Sequence, residues 1–330
     1  MPCSTPVIFL IFRRPDLTAQ VFEAIRLAQP TKLLVVADGP RNEEESVLCR
    51  QAREVTEQVD WDCEVLRNYS DVNLGCRARV SSGITWAFER VEEAIILEDD
   101  CLPHPDFFPY CATLLERYRH DQRVWSICGS NFQLGHRRGS ASFYFSIHGD
   151  SWGWATWKRA WDYYAKAELQ WPAFRDSGRL ADIFLIPQEQ KYWREILDRL
   201  FSVGKPSSWA YQWWLAAWMN NGLHAWPNAC LVSNVGFDGR GTHTLGNSPF
   251  ASPNLETIGE ITYPQFVIPS READEFAFLY RREGLQLIER ERYGWRYSWV
   301  LRMRALRREG LLQYIKSRLH RYIPLVRQSA

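Results

Sequence analysis

Three consecutive carboxylates, Glu98, Asp99 and Asp100, follow the apolar residues 94–97. An unbroken apolar run of this kind is typical of a strand buried on both faces, so the acids would come at its carboxyl end. Adjacent like charges repel one another unless a cation offsets them. Carboxylate oxygens are the ligands that Mg²⁺ and Mn²⁺ prefer, and such sites keep coordination positions open for phosphates. The triplet therefore predicts a divalent-cation site beside a phosphate group.

Charged side chains also follow two other apolar runs. Arg13 and Arg14 follow residues 7–12, and Asp38 follows residues 32–37. Open parallel sheets bind ligands at the carboxyl ends of their strands, so these side chains and the triplet should face one crevice. A basic pair, a single acid and an acid triplet suit a diphosphate, a base or ribose, and a metal. For Asp38 alone, a helix cap or solvated turn is an equally good interpretation.

Strands and helices that could position these side chains alternate along the first hundred residues. We expect strands at residues 7–12, 32–37, 63–66 and 94–97. The expected helices begin at Pro15, with Asp16 as N-cap, and cover residues 43–59 and 76–91. This order predicts an α/β fold with a parallel, right-handed sheet covered by helices.

Beyond residue 100 the pattern is looser. We expect strands near residues 124–128, 143–147 and 229–233, separated by Trp-rich helices. Residues 235–256 are rich in Gly, Thr, Asn, Ser and Pro, which indicates a long loop of the kind that often forms a lid. From about residue 272 the sequence is helical in pattern and basic.

Composition narrows the class of protein. The 330 residues are 46% hydrophobic and carry a net charge of +1, which is ordinary for a globular protein and gives no nucleic-acid footprint. Residues 281–330 nevertheless hold thirteen Lys or Arg against four Asp or Glu, so we expect this tail to have its own partner. Eight cysteines without a Cys-x-x-Cys pair predict reduced, mostly buried thiols and a cytoplasmic location. Residues 7–12 are too few for a membrane span and lack a preceding basic segment, so no signal peptide is expected.

Several longer motifs point to one family. They are Asn-Leu-Gly-Cys at residues 73–76, Val-Ser-Ser-Gly at 80–83, Ile-Leu-Glu-Asp-Asp-Cys-Leu-Pro at 96–103, Trp-Gly-Trp-Ala-Thr-Trp at 152–157 and Asn-Val-Gly-Phe at 234–237. With these motifs, residues 6–245 resemble GT-A-fold glycosyltransferases. More specifically, they resemble the bacterial family 2-like transferases related to N-acetylglucosaminyltransferase I. It implies a GT-A fold with a nucleotide-sugar-binding half at residues 1–115, an acceptor-binding half at 116–256 and a basic helical extension at 257–330.

The resemblance also implies roles for the charged residues of the first half. Arg14 would contact the diphosphate or the nucleotide, and Asp38 would accept a hydrogen bond from the pyrimidine ring. Glu98 would face the donor sugar and Asp99 the ribose. Arg79 would reach the phosphates, although an exposed helix arginine is the simpler interpretation of that residue.

A metal cofactor, Mn²⁺ or Mg²⁺, is implied as well. Asp100 would be its protein ligand, and His243 lies where relatives carry a late histidine suited to the same metal. A polar loop histidine is an equally good interpretation of His243. The implied reaction moves a sugar from a UDP-sugar to a glycan or lipid-linked acceptor, in bacterial surface polysaccharide assembly.

The catalytic base is where the sequence departs from the family. A single inverting displacement needs a carboxylate to take the acceptor's proton, and Ala210 stands where relatives carry that acid. Asp150 is the candidate base and Asp238 a weaker one, while a helix-entry cap near Trp152 is the alternative for Asp150. Ala210 also leaves open a catalytically silent nucleotide- or carbohydrate-binding protein. A nucleotidyltransferase is the other alternative, but residues 12–16 lack the Gly-rich phosphate loop that it would need.

Two further features concern the acceptor. Trp152 and Trp154 could stack on a sugar of the acceptor, and packing in the core is an equally good interpretation of both.

Residues 295–326 place apolar side chains at helical spacing with arginines on the other faces. Such a helix suits an anionic membrane surface at the inner face of the membrane, near a lipid-linked acceptor. Packing on the protein body or on a second subunit is the alternative.

Overall fold

The computed structural model describes residues 3–203, 208–237, 250, 253–297, 299–301 and 303–304. The chain divides into two compact units, residues 1–277 and 278–330. The divisions expected after residues 115 and 256 stay predictions.

The elements alternate as an α/β protein requires. The strands are β1 Val7–Ile11, β2 Lys32–Ala37, β3 Glu64–Tyr69, β4 Glu93–Glu98, β5 Cys101–Pro103, β6 Val124–Cys128, β7 Phe143–Ser146, β8 Trp154–Trp157, β9 Leu223–Pro227 and β10 Val232–Asn234. The α-helices are α1 Pro15–Ala28, α2 Glu43–Val55, α3 Gly75–Phe88, α4 Phe107–Tyr118, α5 Lys158–Trp161, α6 Tyr164–Asp176, α7 Leu180–Ile183, α8 Pro187–Asp198, α9 Ala210–Met219, α10 Arg271–Phe276 and α11 Gly284–Tyr293.

The central sheet has eight strands within the described residues, in the order β3-β2-β1-β4-β8-β6-β9-β7. Strands β3, β2, β1 and β4, at one side of this sheet, run parallel to one another. Strand β8 then runs antiparallel to both β4 and β6, and β6 pairs in parallel with β9. Strands β5 and β10 pair separately as an antiparallel ribbon. The predicted α/β fold with a large sheet between helices is confirmed.

Strand β1 shows why an unbroken apolar run forms a central strand. Its alternate side chains enter two different cores because successive residues of a strand point to opposite faces. Phe9 belongs to the core under α1, which includes Val21. Ile8 belongs to the core under α3, which includes Ile84. With helices on both faces, neither face of the strand tolerates a polar residue.

The helix after β1 begins differently from the prediction. Pro15 occupies its first turn, Arg14 is the N-cap residue, and Asp16 lies in the first turn instead of at the cap. The predicted N-cap is therefore wrong by two positions. Proline at the first helical position accounts for the shift, because it fixes the backbone angle of the helix and has no N–H to satisfy.

Two strands of the sheet were not predicted, β8 and β9. Strand β8 contains the last four residues of the Trp-Gly-Trp-Ala-Thr-Trp motif. Its first residue, Trp154, is fully buried and stacks on Trp209 with ring centroids 5.4 Å apart. The interpretation of Trp154 as an acceptor contact is therefore wrong: the ring is a core residue between sheet and helices.

The eight cysteines are free, and five of them are buried. In the described part of the chain, no helix is both long and apolar enough to cross a membrane.

Candidate functional site

A crevice of about 230 Å³ opens at the carboxyl ends of β1, β2 and β4. Its lining includes six charged residues, Arg14, Asp38, Arg41, Arg79, Glu98 and Asp99. Five of the predicted site residues thus share one crevice. Asp100, Asp150, Trp152 and Trp154 are not among its lining residues, and His243 and Asp238 lie outside the described residues.

Glu98 is the last residue of β4 and is half-buried at the crevice. Burial, together with the carboxylates of Asp100 and Asp99, raises the pKa of Glu98 to about 8. The carboxylate of Asp150 adds to this effect, so Asp150 lies within electrostatic range of Glu98. Near neutral pH Glu98 is therefore largely protonated, and a protonated carboxyl can donate a hydrogen bond to a ligand oxygen.

Arg14 joins the other two acids of the triplet. Its Nη2 donates to Asp99 Oδ1 and lies 3.0 Å from Asp100 Oδ2. Burial alone would lower the pKa of Arg14, but the carboxylates of Asp99 and Asp100 raise it by more. The net pKa lies above the ordinary value, so the guanidinium stays charged. Burial raises the pKa of Asp99 to about 6, against the opposing effect of Arg14. Among the described residues, Arg14 Nη1 is a buried donor that has no hydrogen-bond partner.

The residues after β10 cover this ion pair. Val235 N donates to the carbonyl of Asp100 at 2.8 Å. A Cβ placed on Gly236 would lie 2.5 Å from Asp100 Oδ2 and 2.9 Å from Arg14 Nη1. Any side chain at residue 236 would have to displace the ion pair, which gives a physical reason for the glycine in the Asn-Val-Gly-Phe motif.

Asp38 binds a protein loop instead of offering a free acceptor. Its Oδ1 accepts from Gly39 N and Leu74 N, both at 2.9 Å. Its Oδ2 accepts from Asn73 Nδ2 and Gly75 N, both at 3.1 Å. Four donors use all the lone-pair positions of a carboxylate. A pyrimidine N–H would have to displace one of them, so the structure supports the cap interpretation, with Asp38 holding the start of α3.

Arg79 is buried, so its interpretation as an exposed helix arginine is wrong. Its Nε donates to Ala37 O at 3.0 Å and its Nη2 to Asn68 Oδ1 at 2.7 Å, which ties together the ends of β2 and β3. Burial lowers the pKa of Arg79 below its ordinary value. The residue shapes the crevice wall, and its contact with phosphate stays a prediction.

The candidate base and the neighbouring aromatic ring lie between β7 and β8. Asp150 is buried, and its Oδ2 accepts from Trp152 N at 3.3 Å. Trp152 is only partly buried and contacts Phe237 edge-on, with ring centroids 5.6 Å apart. Ala210 is a buried residue at the start of α9, and its N–H donates to Ser208 Oγ at 3.3 Å. Residue 210 therefore offers a buried methyl group and no proton acceptor.

Sequence reasoning missed one wall of the crevice, which Phe12 and Arg41 form. The guanidinium groups of Arg13 and Arg41 lie 5.8 and 5.9 Å from the centroid of the Phe12 ring. Glu45 accepts from Arg13 Nη1 at 2.8 Å and from Arg41 Nε at 3.0 Å. The hydrogen bond from Arg41 lowers the pKa of Glu45 to about 2. The position of Arg41 in the turn after β2 is the only signal that could have identified it.

The residues of the crevice can supply only part of the ligand set of the implied divalent cation. Within the described ranges, no three His, Cys, Asp or Glu side chains are arranged to hold a metal ion. Mg²⁺-type sites commonly use one or two carboxylates and take their remaining ligands from substrate phosphates and water. Asp99 and Asp100 supply suitable oxygens, but both are paired with Arg14. The donor set fits a cation that arrives with a phosphate better than a cation held by protein ligands alone.

Comparisons with known proteins give only distant likenesses. No family model and no curated protein matches the chain. The solved structure of a UDP-glucose pyrophosphorylase with UDP-glucose aligns at 10% identity and a TM-score of 0.29, covering 48% of this chain and 78% of the other. 4-Diphosphocytidyl-2C-methyl-D-erythritol synthase from Anaerococcus prevotii aligns at 8% identity and a TM-score of 0.29, covering 49% of this chain and 76% of the other. HddC from Yersinia pseudotuberculosis aligns at 11% identity and a TM-score of 0.30, covering 47% of this chain and 78% of the other. With scores this low, a functional inference must come from the crevice itself.

Proposed function

We propose that the chain is a glycosyltransferase of the GT-A type that moves a sugar from a nucleotide-diphosphate sugar, of the UDP-sugar class, to a glycan or lipid-linked acceptor. The observation that carries this proposal is the crevice at the ends of β1, β2 and β4. It combines a charged guanidinium, Arg14, with the carboxyl groups of Glu98 and Asp99 on one surface. Parallel sheets bind nucleotides at this edge.

Charge balance explains why such a crevice suits this reaction. Breaking the bond between sugar and phosphate leaves a nucleoside diphosphate with additional negative charge. A positioned guanidinium stabilises that charge most effectively where water is excluded, as at the partly buried Arg14. Mn²⁺ or Mg²⁺, held by Asp100 and by Asp99 when bound, would supply Lewis-acid stabilisation of the same leaving group. Glu98, in its protonated form, would donate a hydrogen bond to the sugar.

Asp150 is the general base of this proposal. It is buried next to the partly exposed Trp152 and lies within electrostatic range of Glu98. A base on the acceptor side would remove the proton of the attacking hydroxyl, and a single displacement would invert the anomeric centre. The alternative, a silent binding protein, is favoured by one observation, the buried methyl group at Ala210.

The proposal is tested with a panel of nucleotide-sugars in the presence of Mn²⁺. Binding is followed by thermal shift, and turnover by release of UDP. The variants Asp150→Asn and Ala210→Asp form a matched pair, because one removes the proposed base and the other restores an acid where relatives have it. Loss of turnover with retained binding in Asp150→Asn supports the assignment.

Other outcomes distinguish the alternatives. Binding without turnover in the wild-type chain, with turnover appearing in Ala210→Asp, identifies a silent relative. Release of pyrophosphate from a nucleoside triphosphate and a sugar phosphate identifies a nucleotidyltransferase. Neither binding nor turnover with any nucleotide-sugar refutes the proposal.

We also propose that the C-terminal unit contacts an anionic membrane surface, which would bring a lipid-linked acceptor within reach. Trp295 and Trp299 are 84% and 61% exposed. Exposed tryptophans beside arginines are typical of segments that lie in the membrane–water interface. The excess of Lys and Arg over residues 281–330 complements anionic headgroups.

A further inference from the structure

We infer that Arg14 and the divalent cation compete for the same two carboxylates, so that the protein binds the cation tightly only when a diphosphate draws the guanidinium away. The inference rests on the proposed function and concerns the order in which the ligands enter its site. It assigns Arg14 two successive partners, the acids in the free protein and the phosphates in the complex.

The first observation is the geometry of the ion pair. One nitrogen of Arg14, Nη2, contacts both Asp99 Oδ1 and Asp100 Oδ2. A metal ion that used these oxygens would stand next to the guanidinium, and two cations at such a distance repel strongly in a partly buried site. The two positive groups therefore exclude each other.

The second observation is the position of Arg14 at the crevice. Arg14 and Asp99 line the crevice, whereas Asp100 does not. The backbone of Gly236 packs against the ion pair, where even a Cβ would lie 2.9 Å from Arg14 Nη1. The guanidinium therefore has less room toward Gly236 than toward the crevice, where the phosphates of a nucleotide would lie.

The third observation is the unused donor of Arg14. Nη1 is buried and has no hydrogen-bond partner among the described residues. A buried donor without an acceptor is costly, and an anionic phosphate oxygen is among the strongest acceptors for a guanidinium. Nucleotide binding thus offers Arg14 a partner that the free protein lacks, and each ligand would increase the affinity for the other.

The decisive experiment measures Mn²⁺ binding to the free protein, without nucleotide, by titration calorimetry on the full-length chain. Arg14→Gln removes the competing charge and should bind Mn²⁺ about tenfold more tightly than wild type, or more. Arg14→Lys keeps the charge and should stay within a few-fold of wild type. Arg13→Gln is the matched control, because its guanidinium pairs with Glu45 and not with the triplet, and its Mn²⁺ affinity should be unchanged.

A second measurement, of the melting temperature with and without Mn²⁺, applies where Arg14→Gln is less stable than wild type. If Arg14→Gln is destabilised by the unpaired acids, Mn²⁺ should raise its melting temperature more than that of wild type, because the ion replaces the guanidinium. Equal or weaker Mn²⁺ binding in Arg14→Gln, or a variant that stays unfolded in excess Mn²⁺, overturns the inference.

These outcomes are separate from those that test the proposed function. If Mn²⁺ binds neither wild type nor Arg14→Gln, the competition is refuted, while UDP-sugar binding by the wild-type chain still decides whether it uses a nucleotide-sugar. If Arg14→Gln gains Mn²⁺ affinity but no UDP-sugar binds, the competition stands and the donor assignment fails.

Discussion

The substitution Asp38→Asn separates two roles for the acid after β2. The buried carboxylate accepts four hydrogen bonds, two at each oxygen, and three of them come from Asn73, Leu74 and Gly75. An asparagine replaces one oxygen by an NH₂ group, which loses two bonds and sets donor against donor. Hydrogen bonds to a charged group contribute about 1.5–3 kcal/mol each. We therefore expect the free energy of unfolding to fall by roughly 3 kcal/mol or more.

Urea unfolding of wild type and variant measures this change. The control Asn73→Ala removes the side-chain donors to Asp38 Oδ2 and Gly39 O but leaves the carboxylate and its three backbone donors in place. It should cost less than Asp38→Asn, on the order of 1–2 kcal/mol. If Asp38→Asn unfolds at the same urea concentration as wild type yet binds UDP-sugar more weakly, Asp38 recognises the nucleotide and the loop-holding role is refuted.

Three other expectations follow from buried and exposed groups. Burial lowers the pKa of His224 to about 3, below its unfolded value of about 6.5. The unfolded chain thus binds the proton first, and stability is lost as pH falls from about 6.5 toward 3; His224→Asn should lose less over this window in melting experiments. Trp154→Ala should cost about 3–5 kcal/mol of stability because the ring is fully buried, whereas Trp152→Ala should cost clearly less in the same urea assay. Replacing Trp295 and Trp299 by serine should weaken sedimentation with anionic vesicles and leave UDP-sugar binding unchanged; unaltered sedimentation refutes the membrane contact.

The first half of the fold could be predicted because its strands are short apolar runs that helices cover on both faces. The second strand was predicted with its observed bounds, Lys32–Ala37. Strand β3 was predicted too short because it is the edge strand, and its exposed and half-buried residues carry no continuous apolar pattern. Strand β8 was missed because its first tryptophan, Trp154, is buried by the rings of Trp209, the N-cap residue of α9, and of Trp213 in α9. Neither ring is near β8 in the sequence, so local pattern could not reveal the contact.

The charged residues show the same limit at the level of single groups. Arg14, Asp38 and Glu98 could be assigned to one sheet edge because the carboxyl ends of parallel strands meet there. Their partners could not be assigned, because three of the four donors to Asp38 follow it by 35–37 residues and the acids that hold Arg14 follow it by 85 and 86. A charge at the end of a strand therefore predicts a location, whereas its role depends on long-range contacts.

The acidic triplet illustrates how three adjacent carboxyl groups acquire different chemistry. Glu98 faces the crevice, and burial with its acidic neighbours favours its protonated form. Asp99 accepts from Phe12 N at 3.1 Å and from Arg14, so the end of β1 holds it in place. Asp100 pairs with Arg14 and lies against the backbone of Gly236. Asp100 is absent from the crevice lining, so under the competition inferred above it is the acid whose availability a ligand would change most. We therefore expect the three neighbouring acids to differ in role: Glu98 would donate to a ligand, Asp99 holds the end of β1, and Asp100 would become available when the guanidinium moves.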